Sequence, residues 1–242
     1  MRETPELREA IEGLYSTFSG YPLRDWTDPC PCCHKPGEEE RIHSKPLRQL
    51  NNEDLDQYSS NALFTWGGED DFKHFLPRLF ELVIHTEDSG LKFADPQVVI
   101  EKLSYATWHT WPVHEQKAIS HYIRCVWRAV LETPPEELAF DGAFGWLCSI
   151  AQAEENLEPY LGEWIAAESL CAHRHLARLV VEEELPSKQE NPGAYWTDCA
   201  AQWNQLIEWL RQPCIREKLA RGVDAWADTD EAKELLEAAA RL

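Results

Sequence analysis

Asp70-Asp71-Phe72-Lys73-His74-Phe75-Leu76-Pro77-Arg78-Leu79-Phe80-Glu81-Leu82-Val83-Ile84 sets Phe72, Phe75, Leu76, Leu79, Phe80 and Val83 at i, i+3, i+4, i+7 spacings. That period puts all six on one face of an α-helix. Glu69, Asp70 and Asp71 crowd the first turn, where carboxylates face the positive end of the helix dipole. Gly67-Gly68 stands just before them and closes a preceding helix expected over Asn52 to Trp66. Pro77 lies inside the pattern and predicts either a kink or a helix that starts late.

The same period recurs on both sides. It predicts helices at Glu6 to Phe18, Pro96 to about Thr107, His114 to Leu131, Glu136 to Ala153 and Glu158 to Glu184, the last with a break near Glu168 to Ala172. Tyr195 to Leu210, Cys214 to Arg221 and Asp230 to Leu242 complete the set. No stretch alternates apolar and polar residues long enough to require a strand. Pro112, Pro134-Pro135, Pro192-Gly193 and Pro213 punctuate short connections, which favour antiparallel neighbours. The expectation is an all-α fold of layered antiparallel helices in one domain, 1–242, with a Cys/Pro-rich loop at 28–46. Cys171 to Arg178 echoes Cys214 to Arg221, with Trp164 and Trp209 upstream of each copy, which adds a short, irregular HEAT-like solenoid as a finer possibility.

Composition restricts the function classes. Net charge is −20, from 43 acidic against 23 basic residues, and no basic stripe offsets the surplus. Nucleic-acid backbones and anionic membrane surfaces are therefore not the expected partners. A basic protein, drawn in by the field, is. No run approaches the roughly 20 apolar residues that span a bilayer. The start, Met1 to Glu6, has no apolar signal-peptide core, and the eight cysteines sit in a chain of 242 residues rather than in a small secreted scaffold. A cytoplasmic protein with reduced thiols is expected.

The densest chemistry lies in Cys30-Pro31-Cys32-Cys33-His34, followed by His43. Thiolate and imidazole are the preferred ligands of zinc, and Cys30 and Cys33 form a C-x-x-C pair that one turn can aim at one ion. The candidate metal ligands are Cys30, Cys33 and His43, with Cys32 or His34 as the fourth. A structural zinc fits better than a catalytic one, which needs an open position and a carboxylate base. A plain reduced loop and a redox thiol are the competing readings, and Glu38, Glu39 and Glu40 read as solvated surface. The other five cysteines, Cys125, Cys148, Cys171, Cys199 and Cys214, fall in helical patterns as small core residues.

Two further clusters stand out. His74 lies one helical turn from Asp70 and Asp71, so a carboxylate could hold its imidazole. Trp108 and Trp111, at i and i+3, either anchor a partner, as Trp does at binding hot spots, or pack between helices. Trp108, Trp111, Asp70 and Asp71 are the candidate partner-binding residues. Phosphate loops, dinucleotide fingerprints, nucleophile elbows and H-E-x-x-H are missing from the sequence.

Lys45 to Leu50, Leu55, and Thr65-Trp66-Gly67-Gly68-Glu69-Asp70-Asp71-Phe72-Lys73-His74-Phe75-Leu76-Pro77-Arg78 resemble a group of bacterial helical proteins. In these a Cys-bearing loop precedes a Trp-Gly turn and an Asp-Asp-Phe helix. The resemblance spans Asp28 to Trp111 and implies a bacterial cytosolic protein. It carries no activity and no functional residues with it. The functional expectation is an acidic helical interaction module for a basic protein partner, for example an immunity or inhibitor protein of a bacterial toxin. The alternative is a metal-dependent enzyme using the Cys30 to His43 region.

Overall fold

The structure, a computed structural model, describes residues 1–25, 27–32, 34–85, 96–138, 142–185 and 196–242. Among these residues there are twelve α-helices and no strand, so the fold is all-α. They fall into two compact units, one of residues 3–126 and one of residues 1–2 with 127–242.

In the first unit, α1 (Pro5–Thr17) starts where the Thr4 hydroxyl accepts the Leu7 N–H at 3.1 Å, with proline in the first turn. α2 is Glu38–Ile42 and α3 is Asn52–Asn61. α3 opens on a reciprocal capping box: the Asn51 side chain accepts the Asp54 N–H at 3.0 Å and the Asp54 carboxylate accepts the Asn51 N–H at 2.9 Å. It stops at Asn61 rather than at Trp66. Leu63 there takes a left-handed backbone, φ 67°, and the Asn61 carbonyl accepts the amides of Phe64, Thr65 and Trp66.

α4 (Glu69–Ile84) runs through Pro77 without a break. All six apolar residues of its predicted face are buried. α1, α3 and α5 (Pro96–Tyr105) pack against it. Tyr122, from α6 (Val113–Glu132), stacks on Phe80 at 4.9 Å and donates its hydroxyl to the Phe80 carbonyl at 2.7 Å.

The second unit holds the end of α6 from Trp127, then α7 (Gly142–Ala153), α8 (Glu158–Ala166) and α9 (Leu170–Val181). α10 (Ala200–Leu210), α11 (Pro213–Ala225) and α12 (Ala232–Arg241) follow. The expected break between α8 and α9 is real. Ser169 caps α9 by accepting the Ala172 N–H at 3.2 Å. The echoed segments lie in α9 and α11, which pack together, and their upstream indoles, Trp164 and Trp209, meet at 5.3 Å. Trp127 reaches Trp164 edge-on at 5.4 Å, extending an aromatic core in which each pair adds about 0.5–1.5 kcal/mol beyond its buried area. No helix among the described residues is long and apolar enough to cross a membrane. The start of the helix expected at Tyr195 lies outside the described residues.

Candidate functional site

The loop from Thr27 to His34 is fastened to the first unit by one buried carboxylate. Glu39 lies on α2, a helix too short to be stable alone, and it is 3 % exposed. Its oxygens accept the Thr27 N–H at 2.8 Å, the Thr27 hydroxyl at 2.7 Å and the Trp66 indole N–H at 3.0 Å. His43 Nε2, one turn along, is 3.2 Å away. The Trp66 indole also donates to the Thr27 hydroxyl oxygen at 2.6 Å. Burial alone would push the Glu39 carboxyl up. The donors from Thr27, His43 and Trp66 outweigh it and hold the carboxyl below the usual range. The acidic run Glu38 to Glu40 is therefore not the solvated surface its composition suggests: Glu38 and Glu39 are buried and only Glu40 is exposed.

This fastening sets the thiols. Asp28 adopts φ 52°, a conformation Asp tolerates better than most residues, and turns the chain into Pro29 and Cys30. The Cys30 N–H donates to the Thr65 carbonyl at 2.7 Å, and the His34 N–H donates back to the Cys30 carbonyl at 3.0 Å. Between these ties, Cys30 Sγ and Cys32 Sγ stand 2.9 Å apart. Cys32 is exposed and Cys30 half-buried.

The imidazoles of the expected metal set face protein groups. His34 Nε2 accepts the Glu39 N–H at 3.1 Å, its Nδ1 faces the Glu38 carboxylate at 3.2 Å, and its ring sits edge-on to Trp66 at 4.5 Å. His43 leans on Glu39. No group of three or more His, Cys, Asp or Glu among the described residues has the geometry to hold a metal ion. Cys33, the second half of the C-x-x-C pair, lies outside those residues, so the structure brings together Cys30 and Cys32 from the expected ligands.

The Asp70/Asp71/His74 cluster is arranged differently from its spacing. Asp71 is buried and accepts the Gly68 N–H at 2.8 Å, which caps α4. Arg24 grips the same carboxylate with two nitrogens, its Nε at 2.7 Å. Gly67 has φ 73°, and a Cβ there would come within 3.0 Å of Asp71, so glycine is required twice over. The imidazole is held by a backbone group instead of a carboxylate: His74 Nδ1 donates to the Tyr21 carbonyl at 2.7 Å. Burial lowers the His74 pKa. His74 lines a groove of about 670 Å³ together with Tyr15, Arg48 and Pro77. Asp70 is exposed.

Trp108 and Trp111 are both buried and pack in the core of the first unit. Trp111 donates to the Ala106 carbonyl at 3.1 Å and lies under the Lys73 ammonium, 4.1 Å from its ring centroid. Lys73 pairs in turn with the buried Glu115 at 3.0 Å. Of the five remaining cysteines, Cys125, Cys148 and Cys199 are buried as expected, whereas Cys171 and Cys214 are half-exposed. Burial pushes the Cys199 thiol up to about 11.

The residues missed by sequence reasoning are Thr27, Glu39 and Trp66. The i, i+4 spacing of Glu39 and His43 was the available signal. The partners of Glu39 lie 12 and 27 positions away in sequence, beyond any local pattern. Compared with known protein families, curated proteins and solved structures, the chain matches none.

Proposed function

We propose that the protein is an acidic helical binding module for a basic protein partner, an immunity or inhibitor protein of a bacterial toxin being its concrete form. One observation carries the reading: among the described residues, many of the basic groups are paired with the chain's own carboxylates. Arg48 takes Glu12 with two nitrogens at 2.7 Å, Arg174 joins Glu136 and Glu234, Arg178 joins Glu234, and Arg128 joins Glu163. With a net charge of −20, the surplus is negative, and it includes the exposed Asp224 in the last turn of α11 and the exposed Asp228 and Asp230 ahead of α12. Such a surface accelerates encounter with a cationic partner and loses that advantage in salt. The test is affinity capture from a bacterial host at low salt, then Kd of the captured protein against ionic strength. A basic partner whose affinity falls steeply between about 50 and 200 mM salt supports the reading. Affinity indifferent to salt rejects it.

A second reading concerns the thiol loop and is favoured by the paired sulfurs. A zinc ion held by Cys30 and Cys32, with Cys33 as a further thiolate, would brace the loop. Zn–S bonds near 2.3 Å in a tetrahedron require sulfurs about 3.8 Å apart, so the pair would open on binding. About one zinc per chain, lost in Cys30→Ser and Cys32→Ser, is the expected result. The engagement of His43 by Glu39 weighs against a catalytic zinc there.

A further inference from the structure

Among the described residues, the fold holds the Cys30 and Cys32 thiols side by side. Their sulfurs, 2.9 Å apart, are already inside van der Waals contact. A disulfide bond is about 2.05 Å long, so less than 1 Å of closure separates the pair from it. The Cys30 side of the pair is anchored. Pro31 restricts the backbone between the two cysteines. The Cys30 amide is tied to Thr65, whose neighbour Trp66 is locked by Thr27 and Glu39. The two thiols also differ in access, since Cys32 is exposed and Cys30 half-buried.

We propose that Cys30-Pro31-Cys32 is a redox-active dithiol that exchanges with low-molecular-weight disulfides of the glutathione type. The exposed Cys32 thiolate attacks one sulfur of the disulfide RSSR. The S–S bond of RSSR breaks, one RS⁻ leaves, and a mixed disulfide forms on Cys32. The Cys30 thiolate then attacks the Cys32 sulfur, expels the second RS⁻ and closes the Cys30–Cys32 bond. Two electrons pass from the protein to RSSR. The two protons of the protein thiols end on the two released RSH molecules. Attack on the Cys32 sulfur needs no long-range motion, because the resolving sulfur already touches it. This inference is independent of the basic-partner reading. It concerns the same loop as the zinc reading, and the two are separable by their readouts.

The test uses the purified full chain with glutathione disulfide as the probe. After reaction the protein is acid-quenched, alkylated with N-ethylmaleimide and analysed by intact mass and peptide mapping, with zinc content measured on the same sample. The expected result is loss of two of the eight alkylatable thiols, with the cross-link mapped between Cys30 and Cys32. The cross-link persists in Cys33→Ser, and Cys30→Ser stops at a glutathione adduct on Cys32. Wild-type mapping stands as the decisive readout if the Cys30 variant does not fold. Eight alkylated thiols after equilibration in excess glutathione disulfide would overturn the proposal, whether zinc is present or not. So would a cross-link that disappears in Cys33→Ser, which would make Cys33 the true partner.

Discussion

At the scale of single residues, two buried titratable groups contribute to the pH dependence of the fold with opposite chemistry. Glu39 is held below the usual carboxylate range by its donors, against the opposing effect of burial. A carboxyl depressed in the folded state stabilises the fold above its unfolded pKa, and that contribution is lost as pH falls through the folded value. Glu39→Gln keeps the shape and removes the charge. It is expected to cost about 1–3 kcal/mol at pH 7 by denaturant melts, with the gap to wild type narrowing below the ordinary carboxylate pKa. His175 works by the opposite chemistry. Its Nε2 donates to the Thr133 carbonyl at 2.9 Å, and burial pushes its pKa down to about 4. Between about 6.5, its unfolded value, and about 4, the unfolded chain binds the extra proton, so stability falls as pH falls through that window. The loss amounts to about 3 kcal/mol. His175→Gln should make the wild-type dependence of Tm on pH shallower over that range, with the lowered His74 and His173 supplying part of what is left. An unchanged slope would remove His175 as a contributor. Neither group was legible as such: helical period identifies a face, whereas these roles depend on partners distant in sequence.

At the scale of helices, the sequence was far more readable. The six-residue face of α4, the start of α5 at Pro96 and the break between α8 and α9 follow from period, proline and caps, which act within a few residues. What escaped were events set by tertiary contact. α3 ends at Asn61, short of Trp66, because Leu63 turns left-handed. α2 forms inside what reads as a Cys/Pro-rich loop because its Glu39 is bonded to Thr27 and Trp66. Close approach between helices is another such event. A Cβ on Gly222 of α11 would lie 2.6 Å from the His173 ring on α9. Gly222→Ala should therefore destabilise by about 1–3 kcal/mol despite alanine's better helix propensity. A Tm equal to or above wild type would show that the two helices can separate without cost.

At the scale of the whole molecule, the acidic surplus is a long-range effect. A net charge of −20 opposes compaction through self-repulsion. Added monovalent salt screens the exposed surplus more than the short ion pairs, so Tm should rise between about 10 and 200 mM NaCl at pH 7. A falling Tm would mean that the surface ion pairs outweigh the repulsion. The charge was fully legible from composition. How it is deployed was not, because spacing does not reveal which arginines are already matched by their own carboxylates.

The knot of Thr27, Glu39 and Trp66 has a consequence for descent. Each of the three is costly without the other two: a lone carboxylate there loses its donors, and a lone indole N–H or hydroxyl loses its acceptor. Gradual drift at any one position is therefore blocked. Lineages carrying this loop should inherit the trio intact or exchange it together for an apolar set, and a pedigree in which the three positions wander separately would belong to a differently anchored loop.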